Sequence, residues 1–163
     1  MQLMTAISHH ASAPPPPAAF DAVGVEIVTP FGPVSVDPAA ILDVTGGILG
    51  FEGHSRFALA PVPNPRLGRF MILQCVEDPS ISFIVLPMAE DGPIARADRE
   101  EACTMLNAVP EDTIFLLIVT VRREKEGSVM TVNLRAPIAV DTTRRQARQC
   151  VLSNNAYTVR HPL

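Results

Sequence analysis

The sequence contains no tryptophan, one tyrosine and only three cysteines among its 163 residues. Cys75, Cys103 and Cys150 are widely spaced and form no CxxC pair, so neither a disulfide framework nor a paired-cysteine zinc site is indicated. No uninterrupted apolar run approaches the roughly 20 residues that a membrane-spanning helix needs. These absences favour a protein of a reducing compartment that crosses no membrane.

Residues 1–19 do not match the pattern expected of a signal peptide, because no positively charged start precedes a long apolar stretch. They contain His9, His10 and four consecutive prolines at 14–17, and such a proline block favours extended polyproline II structure. We predict a disordered extension; a ligand for a polyproline-binding partner and a metal site at the histidine pair are the alternatives. The predicted organisation is therefore an extension over 1–19 and a single domain over 20–163.

The remaining twelve prolines are dispersed between Pro30 and Pro162, and they exclude long helices because proline fixes φ and removes a backbone donor. Short apolar segments lie between them and predict short strands. These segments are 23–29, 34–36, 41–49, 57–61, 70–76, 81–86, 114–121, 129–134, 137–140 and 149–152. Turn residues predict hairpins joining the first two segments and joining 70–76 to 81–86. The unbroken run 114–121 predicts a strand buried on both faces.

One helix is predicted near residue 100. Asp98 is in position to cap it, with Glu101 three residues later as in a capping box. Ala102 and Leu106 then share one face, and Pro110 follows the end of the helix. Because strands and helices do not alternate, the predicted fold class is mainly β: a small antiparallel β-barrel-like domain of about ten short strands with one short helix.

Catalytic and metal-binding patterns are missing from the sequence. No phosphate-binding loop, dinucleotide fingerprint or nucleophile elbow occurs. His54 beside Glu52 leaves open a general base or metal ligand, although a histidine in such a turn usually faces solvent. Cys150 lies near Arg148, which can lower a thiol pKa, although a cysteine in apolar surroundings is usually inert. We expect no enzyme activity, no cofactor, no metal and no small-molecule substrate.

Charge is unevenly distributed along the chain, whose net charge is −4. Residues 1–121 carry 14 acidic and 5 basic side chains, a net of −9, whereas residues 122–163 carry 8 basic and 3 acidic side chains, a net of +5. The acidic part argues against general nucleic-acid binding and suits a basic partner. Arg144, Arg145 and Arg148 leave open a contact with phosphate or with an acidic protein face.

Several segments follow one another in a familiar order. They are GILGFEG at 47–53 with RF at 56–57, CVEDPSISF at 75–83, IVTV at 118–121, TVNLRAPI at 131–138, and the final part with Arg144, Arg145, Gln149 and residues 157–163. Together they resemble the flagellar assembly factor FliW family across residues 20–163. The sequence departs from the family pattern in its first 19 residues, in its three cysteines and at 88–97, where the family tends to be more acidic.

The resemblance implies a cytoplasmic, non-enzymatic protein with a small β-barrel-like fold. Proteins of this family bind flagellin before its export. Once flagellin is secreted, the freed protein binds the RNA-binding translational regulator CsrA allosterically, which relieves repression of flagellin mRNA translation. The implied partners are thus flagellin and a CsrA-type regulator, without direct contact to nucleic acid or membrane.

The resemblance also suggests roles for particular residues. CsrA is basic, so we expect it on the acidic part. The expected contact residues are Glu77, Asp78, Glu100, Glu101, Glu111 and Asp112, with Arg135. Structural roles are expected for Gly50, Phe51, Pro79, Phe83, Asn133, Leu134 and Pro137, with a bulge near Asn133 and Arg135 at the surface. Two rivals stay open: a small β-barrel enzyme or ligand binder using His54 and Glu52, and an RNA-binding domain using residues 144–148.

Overall fold

The structure, a computed structural model, describes residues 24–163. Its strands are β1 (Val25–Thr29), β2 (Gly32–Val36), β3 (Ile41–Val44), β4 (Arg56–Pro61), β5 (Met71–Cys75), β6 (Ser82–Pro87), β7 (Thr113–Glu124), β8 (Gly127–Val132), β9 (Ile138–Asp141), β10 (Gln146–Gln149) and β11 (His161–Pro162). One α-helix, α1 (Arg96–Leu106), occurs in this part of the chain. The predicted extension over residues 1–19, with its histidine pair and proline block, lies outside the described residues.

Seven strands close into a barrel in the order β7-β6-β5-β4-β3-β10-β9, and β9 pairs back onto β7. Every pairing in the ring is antiparallel except that of β3 with β10, which places Gln146 opposite Asp43 and Ala147 opposite Val44. Strand β8 extends the sheet from the second half of β7, and β11 pairs with β8. The predicted mainly β, barrel-like fold with one short helix is confirmed.

Alternation of side chains gives the barrel strands an inner and an outer apolar face. Leu73 and Leu116 belong to the cluster that fills the barrel. Their neighbours Ile72, Phe115 and Leu117 point the other way and belong to a second cluster, which packs under α1. The prediction of a strand buried on both faces is therefore confirmed for residues 115–117 of β7.

The ends of that apolar run are exposed, contrary to the prediction. Ile114 is 42% exposed because it lines an open cleft, and Val121 is 53% exposed because β7 there extends past the ring and pairs only with β8. The last barrel strand is also misplaced by the sequence prediction, which gave 149–152. The ring needs Gln146–Gln149 to pair with β9, and Val151 lies beyond it, exposed.

Helix α1 begins at Arg96, two residues before the predicted cap Asp98, and Ala95 at its N-cap offers no side-chain hydrogen bond. The capping box predicted for Asp98 and Glu101 is wrong, because both carboxylates instead accept hydrogen bonds from the segment 153–157. No helix within residues 24–163 is long and apolar enough to cross a membrane.

The two predicted hairpins are confirmed, as β1–β2 and β5–β6. The β1–β2 hairpin is not part of the ring; it packs Ile27 and Val36 against Ala58 and Ala60 on the outer face of β4. The barrel is thus covered by α1 on one side and by this hairpin on another.

Candidate functional site

Three of the segments that carry the family resemblance connect consecutive strands. They meet at one end of the barrel, which we call the motif end. It comprises the β3–β4 loop (residues 45–55), the β5–β6 turn (76–81) and the segment 133–137. Glu77 joins the turn to the loop, since its Oε2 accepts hydrogen bonds from the N–H groups of Ser55 and Arg56, both at 3.2 Å. Burial opposes ionisation of Glu77, but these two N–H groups, together with the Cys75 thiol and His54, lower its pKa.

Gln149 joins the loop to the third segment. Its Oε1 accepts a hydrogen bond from the Leu49 N–H at 2.8 Å, and its Nε2 donates to the Ala136 carbonyl at 3.2 Å. The N–H of Ala136 in turn donates to Asn133 Oδ1 at 3.0 Å. Gln149 and Asn133 therefore fix the geometry of the motif end from within.

The β3–β4 loop turns sharply at its glycines. Gly47 has φ +69°, and a Cβ there would lie 2.8 Å from the carbonyl oxygen of Phe51, so only glycine fits. Within the loop, Ile48 is 1% exposed and inserts into the barrel core, whereas Leu49 and Phe51 are 53% and 40% exposed. The loop therefore closes the barrel with one side chain and presents two others to solvent.

The exposed ring of Phe51 is supported from below. It meets Phe83 edge-on, with ring centroids 5.3 Å apart and planes at 78°, and Phe83 in turn contacts Phe57 in the barrel core at 6.2 Å. Edge-to-face aromatic pairs at this distance are favourable. Phe51 is thus held in position although much of it faces water.

Asp78 stabilises the β5–β6 turn next to Pro79. Its Oδ1 accepts hydrogen bonds from the Ser80 hydroxyl at 2.7 Å and from the Ser80 N–H at 2.9 Å. These bonds lower the pKa of Asp78. At neutral pH it adds a second negative charge to that of Glu77 at the motif end.

The other predicted acidic contact residues lie elsewhere, so the six carboxylates do not form one face. Glu100 pairs with Arg96 across one turn of α1 at 2.9 Å, and Glu101 is held by Ser153. Glu111 and Asp112 are exposed in the short 3-10 turn Pro110–Asp112 before β7.

A cleft of about 540 Å³ lies between α1 and the first half of β7. Its lining includes the apolar side chains of Met88, Ile114 and Phe115. It also includes charged side chains of both signs, which are Glu90, Arg96, Arg99, Glu100 and Glu111. Arg99 donates from Nη1 to the Glu90 carbonyl at 2.9 Å, whereas its buried Nε has no hydrogen-bond partner. A lining of apolar and charged side chains suits an amphipathic peptide segment.

The histidine alternative gains no support from the geometry. Glu52 Oε1 accepts a hydrogen bond from the Gly50 N–H at 2.9 Å, which lowers the pKa of Glu52. The buried Nδ1 of His54 has no hydrogen-bond partner. Neither side chain lines the cleft beside α1. Among residues 24–163, no group of three or more histidine, cysteine, aspartate or glutamate side chains is arranged to hold a metal ion.

Two arginines of the RNA alternative are used inside the fold. Arg144 donates from Nη2 to the Asn107 carbonyl at 2.6 Å, and Arg148 donates from Nη1 to the Met105 carbonyl at 2.8 Å. Both therefore hold the C-terminal end of α1, where carbonyl groups lack helical partners. Arg145 adopts a left-handed backbone conformation with φ 57° and lines a separate cleft of about 390 Å³.

Arg135 is half-buried, so its expected surface position is only partly right. Its Nε is buried without a hydrogen-bond partner, and its carbonyl accepts a hydrogen bond from the Leu152 N–H at 3.0 Å. Leu134 beside it is 3% exposed.

The three cysteines are buried and unpaired, as expected for core thiols. Burial raises the pKa of Cys150 to about 11, and the positive charge of Arg148 only partly opposes this. The alternative of a thiol activated by Arg148 is therefore wrong.

Comparison with known proteins agrees with this geometry. The sequence profile of the family described as FliW protein matches residues 27–163. The chain belongs to the FliW family. The flagellar assembly factor FliW of Geotalea uraniireducens (strain Rf4) is 37% identical over 136 residues, which cover 82% of this chain and 80% of the relative. The protein of the same name from Geobacter sulfurreducens (strain ATCC 51573 / DSM 12127 / PCA) is 32% identical over 136 residues, which cover 82% of each chain.

A solved FliW structure has the same fold. The crystal structure of the flagellar assembly factor FliW matches this chain with a TM-score of 0.68 at 26% identity, over 85% of this chain and 96% of that one. The resemblance seen in the sequence is thus confirmed at the level of family and fold. In this FliW-family chain, three of the segments that carried the resemblance meet at the motif end.

Proposed function

We propose that this chain is a flagellar assembly factor that acts by binding other proteins and not by catalysis. It binds flagellin in the cytoplasm before export and, when free, binds a CsrA-type translational regulator, which relieves repression of flagellin mRNA translation. Membership of the FliW family supports this role. The structural observation that carries it is the presence of two separate exposed surfaces of different chemistry, the cleft beside α1 and the motif end.

Flagellin is assigned to the cleft beside α1. An amphipathic helical segment would place its apolar stripe on Ile114 and Phe115. Its polar side chains would meet charged side chains of both signs, among which Glu111 has no ion-pair partner among the described residues. A partly exposed side chain such as Ile114 is then covered on binding.

The regulator is assigned to acidic side chains outside that cleft. Glu77 and Asp78 at the motif end fit this role, because both remain ionised at neutral pH and a basic protein is attracted to them. Two surfaces allow the partners to be coupled without overlapping, and coupling of this kind must be reciprocal: each partner changes the affinity for the other by the same factor.

Isothermal titration calorimetry tests the proposal. Flagellin and the CsrA-type regulator of the same bacterium are titrated into this chain, each alone and each in the presence of the other. We expect both to bind alone, and each to weaken the other by the same factor. Absence of binding by both partners would overturn the proposed function.

Charge-reversal variants then assign the surfaces. Asp78→Lys should lower the affinity for the regulator by about tenfold at low salt and by less at high salt, while the affinity for flagellin stays unchanged. Glu26→Lys, an exposed acidic position on β1, serves as the matched control. If the two variants changed the affinity for the regulator equally, the assignment of the regulator to the motif end would be contradicted.

A further inference from the structure

Two large apolar side chains stand out at the motif end because the loop that carries them is well ordered by hydrogen bonds. Leu49 and Phe51 are 53% and 40% exposed, although Ile48 beside them is fully buried in the barrel. Clustered exposed apolar side chains of this kind mark interaction surfaces.

The exposed conformation is fixed by the backbone. The Leu49 N–H donates to Gln149 at 2.8 Å, the Gly50 N–H donates to Glu52 at 2.9 Å, and the Phe51 N–H donates to the carbonyl three residues earlier at 2.7 Å. Three successive N–H groups are therefore satisfied with both apolar side chains facing outwards. A partner that binds here does not have to order the loop, which favours affinity.

Three carboxylates belong to the same end of the barrel as the two apolar side chains. Glu52 follows Phe51 directly, Glu77 holds the end of the same loop, and Asp78 follows Glu77. None of the ion pairs formed within the described residues involves these three carboxylates. The motif end therefore combines two exposed apolar side chains with three carboxylates that form no ion pair, which we call the acidic border.

We infer that Leu49 and Phe51 are the anchor of a docking surface for a cationic segment of a protein partner, one that places an apolar side chain between lysine or arginine residues. Charge complementarity selects this occupant, because the acidic border repels nucleic acid and anionic membrane surfaces. The inference rests on the proposed function and deepens it: it locates the contact of the basic regulator and assigns the binding energy to two apolar side chains, with the carboxylates setting selectivity.

A second copy of this chain is the competing occupant. The β7–β8 hairpin carries Arg122, Arg123 and Lys125 beside the exposed Val121 and Val129. That combination has the required chemistry, but Arg122 is already paired with Glu124 at 3.0 Å. Self-association through the motif end is therefore an outcome that the experiment must detect.

The experiment measures binding of two ligands to four forms of the full chain. The ligands are the CsrA-type regulator of the same bacterium and a short synthetic peptide of alternating leucine and arginine. The forms are the natural chain, Leu49→Ser, Phe51→Ser and the control Val28→Ser, whose β1 side chain is 58% exposed. We expect each motif-end variant to lose about tenfold or more in affinity for both ligands, and the control to change by less than about twofold. Melting temperatures verify folding. If Phe51→Ser is destabilised, the result with Leu49→Ser is used to judge the inference, because Leu49 is the more exposed of the two and its loss removes less packing.

The two ligands separate the inference from the proposed function. If the regulator binds the natural chain and Leu49→Ser equally well, the anchor is overturned and the proposed function stands. In another outcome, the regulator fails to bind while the peptide binds the natural chain but not Leu49→Ser. That result would support Leu49 and Phe51 as the anchor and show that the regulator is the wrong partner. If neither ligand binds, both fail. Concentration-dependent dimerisation that Leu49→Ser abolishes would show the surface to be an interface between copies and would overturn the inference.

The contribution of the acidic border to binding is tested by variants that remove a negative charge but keep the hydrogen-bond acceptor. Glu52→Gln retains an oxygen for the Gly50 N–H, and Asp78→Asn retains one for Ser80. Each should weaken peptide binding at low salt and reduce its dependence on salt. Unchanged salt dependence in both variants would refute the role given to the carboxylates.

Discussion

The hydroxyl of Tyr157 donates a hydrogen bond to Asp98 Oδ2 at 2.6 Å and accepts one from the Ala95 N–H at 2.8 Å. Asn154 Nδ2 donates to the same carboxylate oxygen at 3.0 Å. These contacts fasten the segment 153–157 to the first turn of α1. They also explain why Asp98 does not cap the helix: its carboxylate is already bound by the later segment.

Replacing this tyrosine should destabilise the fold in a pH-dependent way. The hydrogen bonds from Tyr157 and Asn154 hold the pKa of Asp98 below its ordinary value of 3.8. The stabilisation is therefore fully present above that value and is lost as pH falls through the lowered pKa. Tyr157→Phe should lower the melting temperature by a few degrees at neutral pH. The difference in melting temperature from the natural chain should become smaller in acid. A difference in melting temperature that stays constant from neutral to strongly acidic pH would contradict this account.

Two side chains on the same face of β7 differ in burial and therefore predict different results on truncation. Leu116 is fully buried inside the barrel, so Leu116→Ala should lower the free energy of unfolding by about 2–5 kcal/mol. Ile114, two residues earlier, is 42% exposed in the cleft, and Ile114→Ala should cost less than about 1 kcal/mol. Urea unfolding of both variants measures the difference. Similar losses in the free energy of unfolding would show that Ile114 is more tightly packed than its exposure indicates.

The structural role expected for Asn133 can be separated from a role in binding. Asn133→Ala removes the acceptor of the Ala136 N–H, and Ala136 is only 4% exposed. Leaving that donor unpaired should lower the free energy of unfolding by about 1–3 kcal/mol. Asn133→Asp, which keeps an acceptor oxygen, is the control and should lose less. An unchanged melting temperature together with abolished partner binding would show that Asn133 acts in binding instead.

The thiols should be inert in the folded protein. All three cysteines are buried, and burial raises the pKa of Cys75 and brings that of Cys150 to about 11. Near pH 8 the reactive thiolate is therefore scarce. We expect slow modification by a thiol reagent in buffer and rapid modification of all three cysteines in denaturant. Fast modification of one residue in buffer would reveal a local opening next to it.

Sequence patterns predicted local structure better than long-range contacts. The hairpins β1–β2 and β5–β6 follow from short apolar segments joined by turn residues, and the structure contains both. Strand β10 reads QARQ and offers no apolar run, so its place in the ring depends on pairing with β3 and β9. The exposure of Leu49 was likewise unpredictable, because the residue that holds its N–H, Gln149, lies 100 positions away. The family resemblance marked the right segments without saying which side chains face water.

The parallel pairing of β3 with β10 has a consequence for how the protein is made. Strands β3 to β7 join mostly to sequence neighbours, but the ring cannot close until the chain has been synthesised through residue 149. Such non-local pairing is expected to be a slow, late step of folding. Gln149 fixes the β3–β4 loop in that same step. A nascent or partly unfolded chain would therefore lack the anchor in its final form, and only a finished barrel would compete for partners in the cell.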